Sequence, residues 1–443
     1  MKIQLSDHFT YKKLINFVIP SIGMMMFISI YGVVDGLFVS NFAGKTAFAA
    51  INLIMPFIMV LGGMGFMIGA GGTALVAKTL GENEKEKANR YFTIMVLFTI
   101  ILGAFLTLIG IVFLKPISYF LGATDDMIGD CLLYGRIVIA FTVSFMLQNL
   151  FQNFLITAEK PKLGLFATLG AGITNMVLDA LFVGLLGWGV AGAAFATGIS
   201  QCVGTVIPLV FFFKGKNSPL KLVKTKLEIK PILRACANGS SELMTNISSS
   251  IVSMVYNFQL IRYIGENGIS AYGVIMYVQF IFISLFIGYV IGVAPIIGFN
   301  YGAKNTAELK NIFKKSVILM GGAGVVLSIL AFSLANPLAH IFVGYDAELK
   351  ALTVKAFRLF APAFLLAGLN IFASSLFTAL NNGLISAIIS FLRTLVFQLA
   401  SVLVLPLIFD YDGIWYSITI AEVFAIIISA VFVIVKRKRY NYF

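Results

Sequence analysis

Four carboxylate side chains stand well inside long apolar stretches of this sequence: Asp35, Asp179, Glu242 and Glu422. An ionised side chain at the centre of a membrane-spanning helix costs roughly 2.5–3.5 kcal/mol, so each of these acids needs a physical reason to be there. Two carboxylates that share a low-dielectric site cannot both stay ionised without a cation. If Asp35 and Asp179 lie close together, they therefore predict a site that binds a proton or a metal cation.

The polar residues near this pair are of the types that such a site needs. Tyr31 and Asn175 each precede one of the two aspartates by four residues, which places each pair on one helix face. Thr197 and Tyr134 lie at about the same depth in their own apolar stretches as the aspartates do in theirs. Hydroxyl and amide groups can hydrogen-bond a carboxylate or offer oxygen ligands to a hard cation such as Na⁺. The alternative is that these polar residues only bond neighbouring helices.

The composition indicates that these acids lie in a membrane protein and not in a soluble domain. Apolar residues make up 59% of the chain and charged residues only 12%, whereas a soluble domain carries roughly 25% charged residues. The net charge of +13 sits in short segments between apolar runs, so it indicates membrane topology, and we expect no nucleic-acid partner. The three cysteines lie far apart without metal-ligand spacing, and we expect no cofactor.

The apolar runs predict twelve membrane-spanning helices, because each crossing needs about 20 residues and these runs are too long for barrel strands. The predicted spans are residues 12–40, 47–77, 91–115, 127–158, 163–186, 190–213, 232–263, 268–301, 311–335, 348–380, 384–409 and 412–435. On one side of this arrangement lie 24 of the 32 Lys and Arg residues. The bias predicts a multi-pass protein of the plasma (inner) membrane with both termini in the cytoplasm.

The sequence also carries an internal repeat. A shift of 221 residues pairs Gly44 with Gly265 and Thr157-Ala158 with Thr378-Ala379, among other matches. An even number of spans separates the copies, so the halves share one orientation, as in some transporters that work by alternating access. We predict an all-α integral membrane fold of two pseudo-symmetric six-helix lobes. The lobes are residues 1–213 and 232–443, and the linker between them is the cytoplasmic segment 214–231.

The ordered set of these features resembles the multidrug and toxic compound extrusion (MATE) family over nearly the whole chain. The most specific parts are Pro20 and Asp35 in span 1 and Asn175-x-x-x-Asp179 in span 5. Span 8 ends in Pro295-Ile-Ile-Gly-Phe-Asn-Tyr-Gly-Ala303, which is similar to a recurring segment of that family. The aspartate in span 1 resembles one prokaryotic branch.

The resemblance implies an antiporter, not an enzyme, that exports cationic or amphipathic organic compounds as H⁺ or Na⁺ enters. It implies an ion-coupling site for H⁺ or Na⁺ at Asp35, Asn175, Asp179 and Thr197. It implies a supporting hydrogen-bond network at Tyr31, Tyr134 and Asn149. Bending of span 1 at Pro20 would accompany protonation. We expect the lipid bilayer and a small organic substrate as partners, and a monomer.

Several alternatives stay open at this level. Glu242 in span 7 is a candidate second coupling site or a structural hydrogen-bond partner, and Glu422 and Arg393 have no assigned partners. A related function is that of a flippase for a lipid-linked or polyprenyl substrate. A more remote one is an intramembrane aspartyl protease, although the Gly-x-Gly-Asp context of such enzymes is absent. The residue types do not choose between H⁺ and Na⁺.

Overall fold

The computed structural model describes residues 3–39, 42, 45–214 and 218–443, and this part of the chain is helical throughout its ordered elements. The helices of the first half are α1 Tyr11–Phe38, α2 Lys45–Gly81, α3 Lys85–Phe120, α4 Asp125–Ala140, α5 Thr142–Thr157, α6 Pro161–Leu178 with a π-helical continuation Asp179–Leu185, and α7 Gly189–Lys214. The helices of the second half are α8 Ile229–Tyr263, α9 Glu266–Gly302, α10 Thr306–Ser333, α11 Ala335–Val343, α12 Ala347–Phe360, α13 Ala363–Ala379, α14 Gly383–Phe391 with a π-helical continuation Leu392–Phe397, α15 Gln398–Val404, α16 Pro406–Phe409 and α17 Tyr411–Tyr440.

These helices cover the twelve predicted spans, although some spans consist of more than one helix (α4 with α5, α12 with α13, and α14 to α16) and α11 lies between two spans. Within the described residues, 9 helices are long and apolar enough to cross a membrane, and two bent helix pairs bring the number to 11. The remaining span is α8, which has 35 residues but a more polar sequence. Because α8 packs against α2 on one side and α14 on another, many of its side chains face protein instead of lipid.

Two predicted spans are bent, which the sequence analysis did not anticipate. The helices α4 and α5 meet at 53°, and α12 and α13 meet at 47°. The breaks at Phe141 and Pro362 occupy equivalent positions in the 221-residue repeat. At the second break Pro362 lacks the N–H that a continuous helix needs. At the first, the Thr142 hydroxyl donates to the Ile139 carbonyl oxygen at 2.7 Å, and the Thr107 hydroxyl of α3 donates to the same oxygen at 3.2 Å.

One end of the molecule gathers residues 3–10, the loops that follow α2, α5, α9 and α13, the segment 218–228 between α7 and α8, and the C-terminal residues 441–443. We call this end the basic face, because most lysines and arginines lie in the segments that reach it. The other end, which we call the opposite face, carries the loop after α3, the start of α9 and the short helix α11. The helix α11 lies between two predicted spans and was not predicted.

The two halves pack most closely near the basic face, where glycines bring backbones together. A Cβ at Gly71 would overlap the Ala235 carbonyl oxygen, and a Cβ at Gly239 would overlap that of Met67. Nearer the basic face, Gly302 approaches the Lys78 carbonyl oxygen in the same way. Small residues at such crossings allow the close approach that drives helix association in membranes. These contacts of α2 with α8 and α9 therefore close the basic face between the halves.

This packing predicts that alanine substitutions at two helical glycines, Gly239 and Gly273, differ in their effect on thermal stability. We expect Gly239→Ala to lower the thermal unfolding temperature of the purified protein in detergent. The added methyl group would press on backbone, and overpacking of this kind costs about 1–3 kcal/mol. Gly273→Ala is the matched control, because a Cβ there meets nothing within 4 Å. Equal unfolding temperatures for the two variants would contradict the close packing of α2 and α8.

Candidate ion site and polar cavity

The two aspartates of the first half meet where α1, α6 and the π-helical stretch come together. Asp35 lies in the last turn of α1, Asn175 in the last turn of α6, and Asp179 is the first residue of the π-helical stretch. The helix α1 packs against both other elements, and the Asp35 side chain interacts with those of Asp179 and Asn175. Single π turns inside helices are frequent at functional sites because they displace side chains from the regular helix face.

Four buried oxygen atoms at this meeting point have no hydrogen-bond partner among the described residues. They are both carboxylate oxygens of Asp179, Oδ1 of Asp35 and Oδ1 of Asn175. Asp179 is 0% exposed and Asn175 is 2% exposed, so water does not reach them as it would reach surface groups. An unsatisfied buried polar atom costs about 1–3 kcal/mol, and more if it is charged. The site therefore fits a proton or a hard cation, either of which would satisfy these oxygens.

Two hydroxyl groups from neighbouring helices complete the surroundings of the pair. The Tyr134 hydroxyl on α4 interacts with Thr197 on α7, and it lies within electrostatic range of both aspartates. Tyr134 is 1% exposed. The helix α7 packs against α4, α6 and the π-helical stretch, which holds these side chains around one point. The structure thus brings together the four predicted ion-coupling residues and Tyr134.

Tyr31 approaches the site from the α1 side. Its hydroxyl lies near the Asp35 carboxylate, and its ring packs against Phe27 with centroids 5.9 Å apart. A Cβ at Gly172 would overlap the Phe27 ring. The absence of that atom therefore lets α1 lie close enough to α6 for the two aspartates to meet.

Two further predicted residues lie away from the carboxylates. The side-chain amide of Asn149 on α5 donates to the Gly62 carbonyl oxygen on α2 at 3.2 Å, which ties these two helices together. The backbone carbonyl oxygen of Asn149 accepts from Asn153 Nδ2, within α5, at 3.0 Å. Pro20 is buried in the half of α1 nearer the basic face, and α1 runs through it without a break. Its role as a hinge stays a prediction, as does the role of Asn149 in the network.

A cavity of about 200 Å³ lies mostly within the second half, and residues of α2 and α5 from the first half form part of its wall. Glu242 lies on one wall and makes no hydrogen bond or ion pair with a described residue, while Arg393 lies on another wall. Hydroxyl-bearing side chains line much of the rest, namely Thr73, Thr245, Ser249, Ser253, Ser374, Ser375, Thr378, Ser390 and Thr394. A carboxylate among hydroxyl groups and apolar walls can hold the charged end of an organic cation.

Arg393 has a partner that the sequence analysis did not identify. Its Nε donates to Glu422 Oε1 at 2.9 Å and its Nη2 donates to the same oxygen at 2.7 Å. Asn370 Nδ2 donates to Glu422 Oε2 at 2.7 Å, and the Ser429 hydroxyl donates to Asn370 Oδ1 at 3.0 Å. The Glu422 side chain is 2% exposed. Opposite charges in two adjacent spans were the available signal, since intramembrane charges usually pair.

Comparisons with known proteins agree with this architecture. The sequence matches the MatE family over residues 20–181 and again over residues 243–403, once in each half. The multidrug export protein MepA of Staphylococcus saprophyticus is 24% identical over 433 residues, which cover 97% of this chain and 94% of the relative. MepA of Staphylococcus aureus strain MSSA476 is 23% identical over 434 residues, again covering 97% of this chain and 94% of the relative.

A solved structure has the same fold. The outward-facing conformation of a multidrug resistance MATE transporter of the MOP superfamily gives a TM-score of 0.93 at 22% identity, and the match covers 100% of this chain and 99% of that one. The predicted all-α fold of twelve spans in two lobes is confirmed.

The Arg393–Glu422 pair yields a stability prediction. We expect Arg393→Met to lower the thermal unfolding temperature in detergent strongly, because breaking a buried ion pair costs about 3–5 kcal/mol. The double variant R393M/E422L should regain most of the loss, since it leaves no buried unpaired charge. A single variant as stable as the unmodified protein would contradict the role of this pair.

Proposed function

The chain belongs to the MatE family and is a multidrug export transporter rather than an enzyme, and we propose that it works as an ion-coupled antiporter. In this proposal, H⁺ or Na⁺ moves inward through the Asp35–Asp179 site while a cationic or amphipathic organic compound moves outward. The observation that carries the proposal is the set of four buried oxygens that have no hydrogen-bond partner in the described part of the chain. No cofactor takes part.

The coupling step follows from the physics of the carboxylate pair. With no cation bound, two ionised carboxylates in a low-dielectric site repel each other and stay unsolvated. A proton or Na⁺ removes that repulsion and lets α1 pack against α6 and the π-helical stretch. Asn175 and Thr197 would supply further oxygens to Na⁺, whereas Tyr31 and Tyr134 would hydrogen-bond the carboxylates. Ion binding would thus favour one packing of α1, which bends at Pro20, over another.

We place the substrate in the cavity that is lined mostly by the second half. Glu242 would balance the charge of an organic cation or act as a second coupling carboxylate, and the apolar walls would bury the rest of the molecule. Arg393 is held by Glu422 at 2.7 Å, so this guanidinium adds little net repulsion to a cation.

The orientation rests on the positive-inside rule. The basic face gathers most of the lysines and arginines, so we place it, with both chain termini, in the cytoplasm of a cell whose plasma (inner) membrane holds the protein. We propose a monomer, since each chain carries both lobes. The flippase alternative gains no support from the MatE match, and the protease alternative falls with the assignment to transporters.

Gradient-driven transport tests the ion site. In proteoliposomes that carry a pH or Na⁺ gradient, we expect Asp35→Asn and Asp179→Asn to reduce transport of a fluorescent organic cation by at least about tenfold. An amide at either position cannot carry the charge on which cation or proton binding depends. Asp126→Asn is the control, because Asp126 is exposed at the start of α4. Undiminished transport in both aspartate variants would refute the site, and imposing each gradient alone identifies the coupling ion.

Substrate affinity tests the role of Glu242. We expect Glu242→Gln to weaken binding of a monovalent organic cation to the detergent-solubilised protein by about tenfold, because the cavity loses the carboxylate that would balance the charge of the cation. Binding of an uncharged amphipathic compound should change little, and this serves as the control. Equal effects on both ligands would contradict an electrostatic role of Glu242.

A further inference from the structure

The N-terminal segment of residues 3–10 lies on the basic face and is firmly packed there. Leu5 is 1% exposed and Phe9 is 0% exposed. Both belong to a hydrophobic cluster that is formed mostly by the second half of the chain, and Leu14, Phe17 and Val18 of α1 belong to it as well. The segment is therefore part of the first lobe by sequence and part of the second lobe by packing.

Glu308 anchors this segment to the second lobe. Its Oε1 accepts from the Phe9 backbone N–H at 2.9 Å, and its Oε2 lies 2.7 Å from His8 Nδ1. Asn311 donates to Glu308 Oε1 at 2.8 Å and to the Phe9 carbonyl oxygen at 3.0 Å. Lys315 donates to the same carbonyl oxygen. The Glu308 side chain is only 7% exposed, and hydrogen bonds to a buried carboxylate are among the strong ones.

The same segment is also bound to the first lobe. The Leu5 backbone N–H donates to Glu159 Oε1 at 3.1 Å, and Glu159 lies in the turn between α5 and α6. Lys13 at the start of α1 forms an ion pair with Asp7 at 2.8 Å. The segment thus crosses from Glu159 of one lobe to Glu308 of the other.

We propose that residues 3–10 are a latch that holds the two lobes together at the basic face and must detach before that face can open. Alternating access requires the lobes to separate at one face while they close at the other. A segment bound to both lobes opposes that separation for as long as its hydrogen bonds last. Because the latch continues directly into α1, its release also frees the N-terminal end of this helix, whose last turn carries Asp35. This inference rests on the transporter function and not on the coupling ion.

A native cysteine can report the opening. Cys236 on α8 is partly buried and packs against the hydrophobic cluster of the first lobe. Its neighbour Ala235 carries the carbonyl oxygen that closely approaches Gly71. When the lobes separate at the basic face, this thiol becomes accessible. Replacing Cys131 and Cys202 by serine leaves Cys236 as the only thiol of the chain.

The experiment measures the rate at which N-ethylmaleimide labels Cys236 in membrane vesicles, without an ion gradient or substrate. We expect Glu308→Ala to raise this rate on the order of fivefold or more, since it removes hydrogen bonds to a charged acceptor. Asn311→Ala should raise the rate by less, because Glu308 remains. Glu86→Ala is the matched control: Glu86 is an exposed acid in the first turn of α3, the repeat-related helix of α10.

Labelling rates that are the same in the Glu308→Ala, Asn311→Ala and Glu86→Ala proteins would overturn the latch. The thermal unfolding temperature of each variant, measured in detergent, separates opening from loss of the fold. If Glu308→Ala does not fold, Asn311→Ala carries the test alone. The assay needs neither transport nor ion binding, so a failure of the latch and a failure of the proposed antiport are separate results.

Discussion

The architecture of the first lobe depends on two carboxylates that are kept out of water. Asp35 and Asp179 come from different helices, and Oδ1 of Asp35 and both carboxylate oxygens of Asp179 have no hydrogen-bond partner among the described residues. Two features of the backbone bring these carboxylates together. Gly172 lets α1 approach α6, and the π-helical stretch begins at Asp179 itself. A site held this way is sensitive to a single positive charge, because adding one removes both a repulsion and a desolvation cost.

The second lobe, which is related to the first by the repeat, stabilises a buried carboxylate in a different way. Its buried carboxylate Glu422 is satisfied by Arg393 and Asn370 within the protein. A covalently fixed cation cannot leave, so this pair stabilises the packing of the last two spans without responding to ion gradients. The buried charges therefore do not follow the 221-residue repeat: Glu422 has a fixed cation in Arg393, whereas the site that we propose at Asp35 and Asp179 takes a mobile one.

The sequence predicted those features that follow from length and depth. Twelve spans follow from the apolar runs, and the equal depth of Asp35 and Asp179 predicted the proximity that the structure displays. Features that depend on helix rotation or on distant packing could not be predicted. Nothing in the periodicity shows that Arg393 faces Glu422, or that the N-terminal segment crosses to Glu308. The break at Phe141 lacks a proline as a signal, unlike its counterpart at Pro362. The assignment to the branch with an aspartate in the first span stays a prediction.

The polar character of α8 has a consequence for how the chain is assembled. A helix that carries Glu242 and many hydroxyl groups partitions poorly into lipid by itself. Its residues are compatible with the bilayer only once α2 covers one side and α14 another. Since α14 is synthesised more than a hundred residues later, α2 of the first lobe is the partner that already exists when α8 emerges. The packing of α8 therefore couples the two lobes, because one of its covering helices belongs to each.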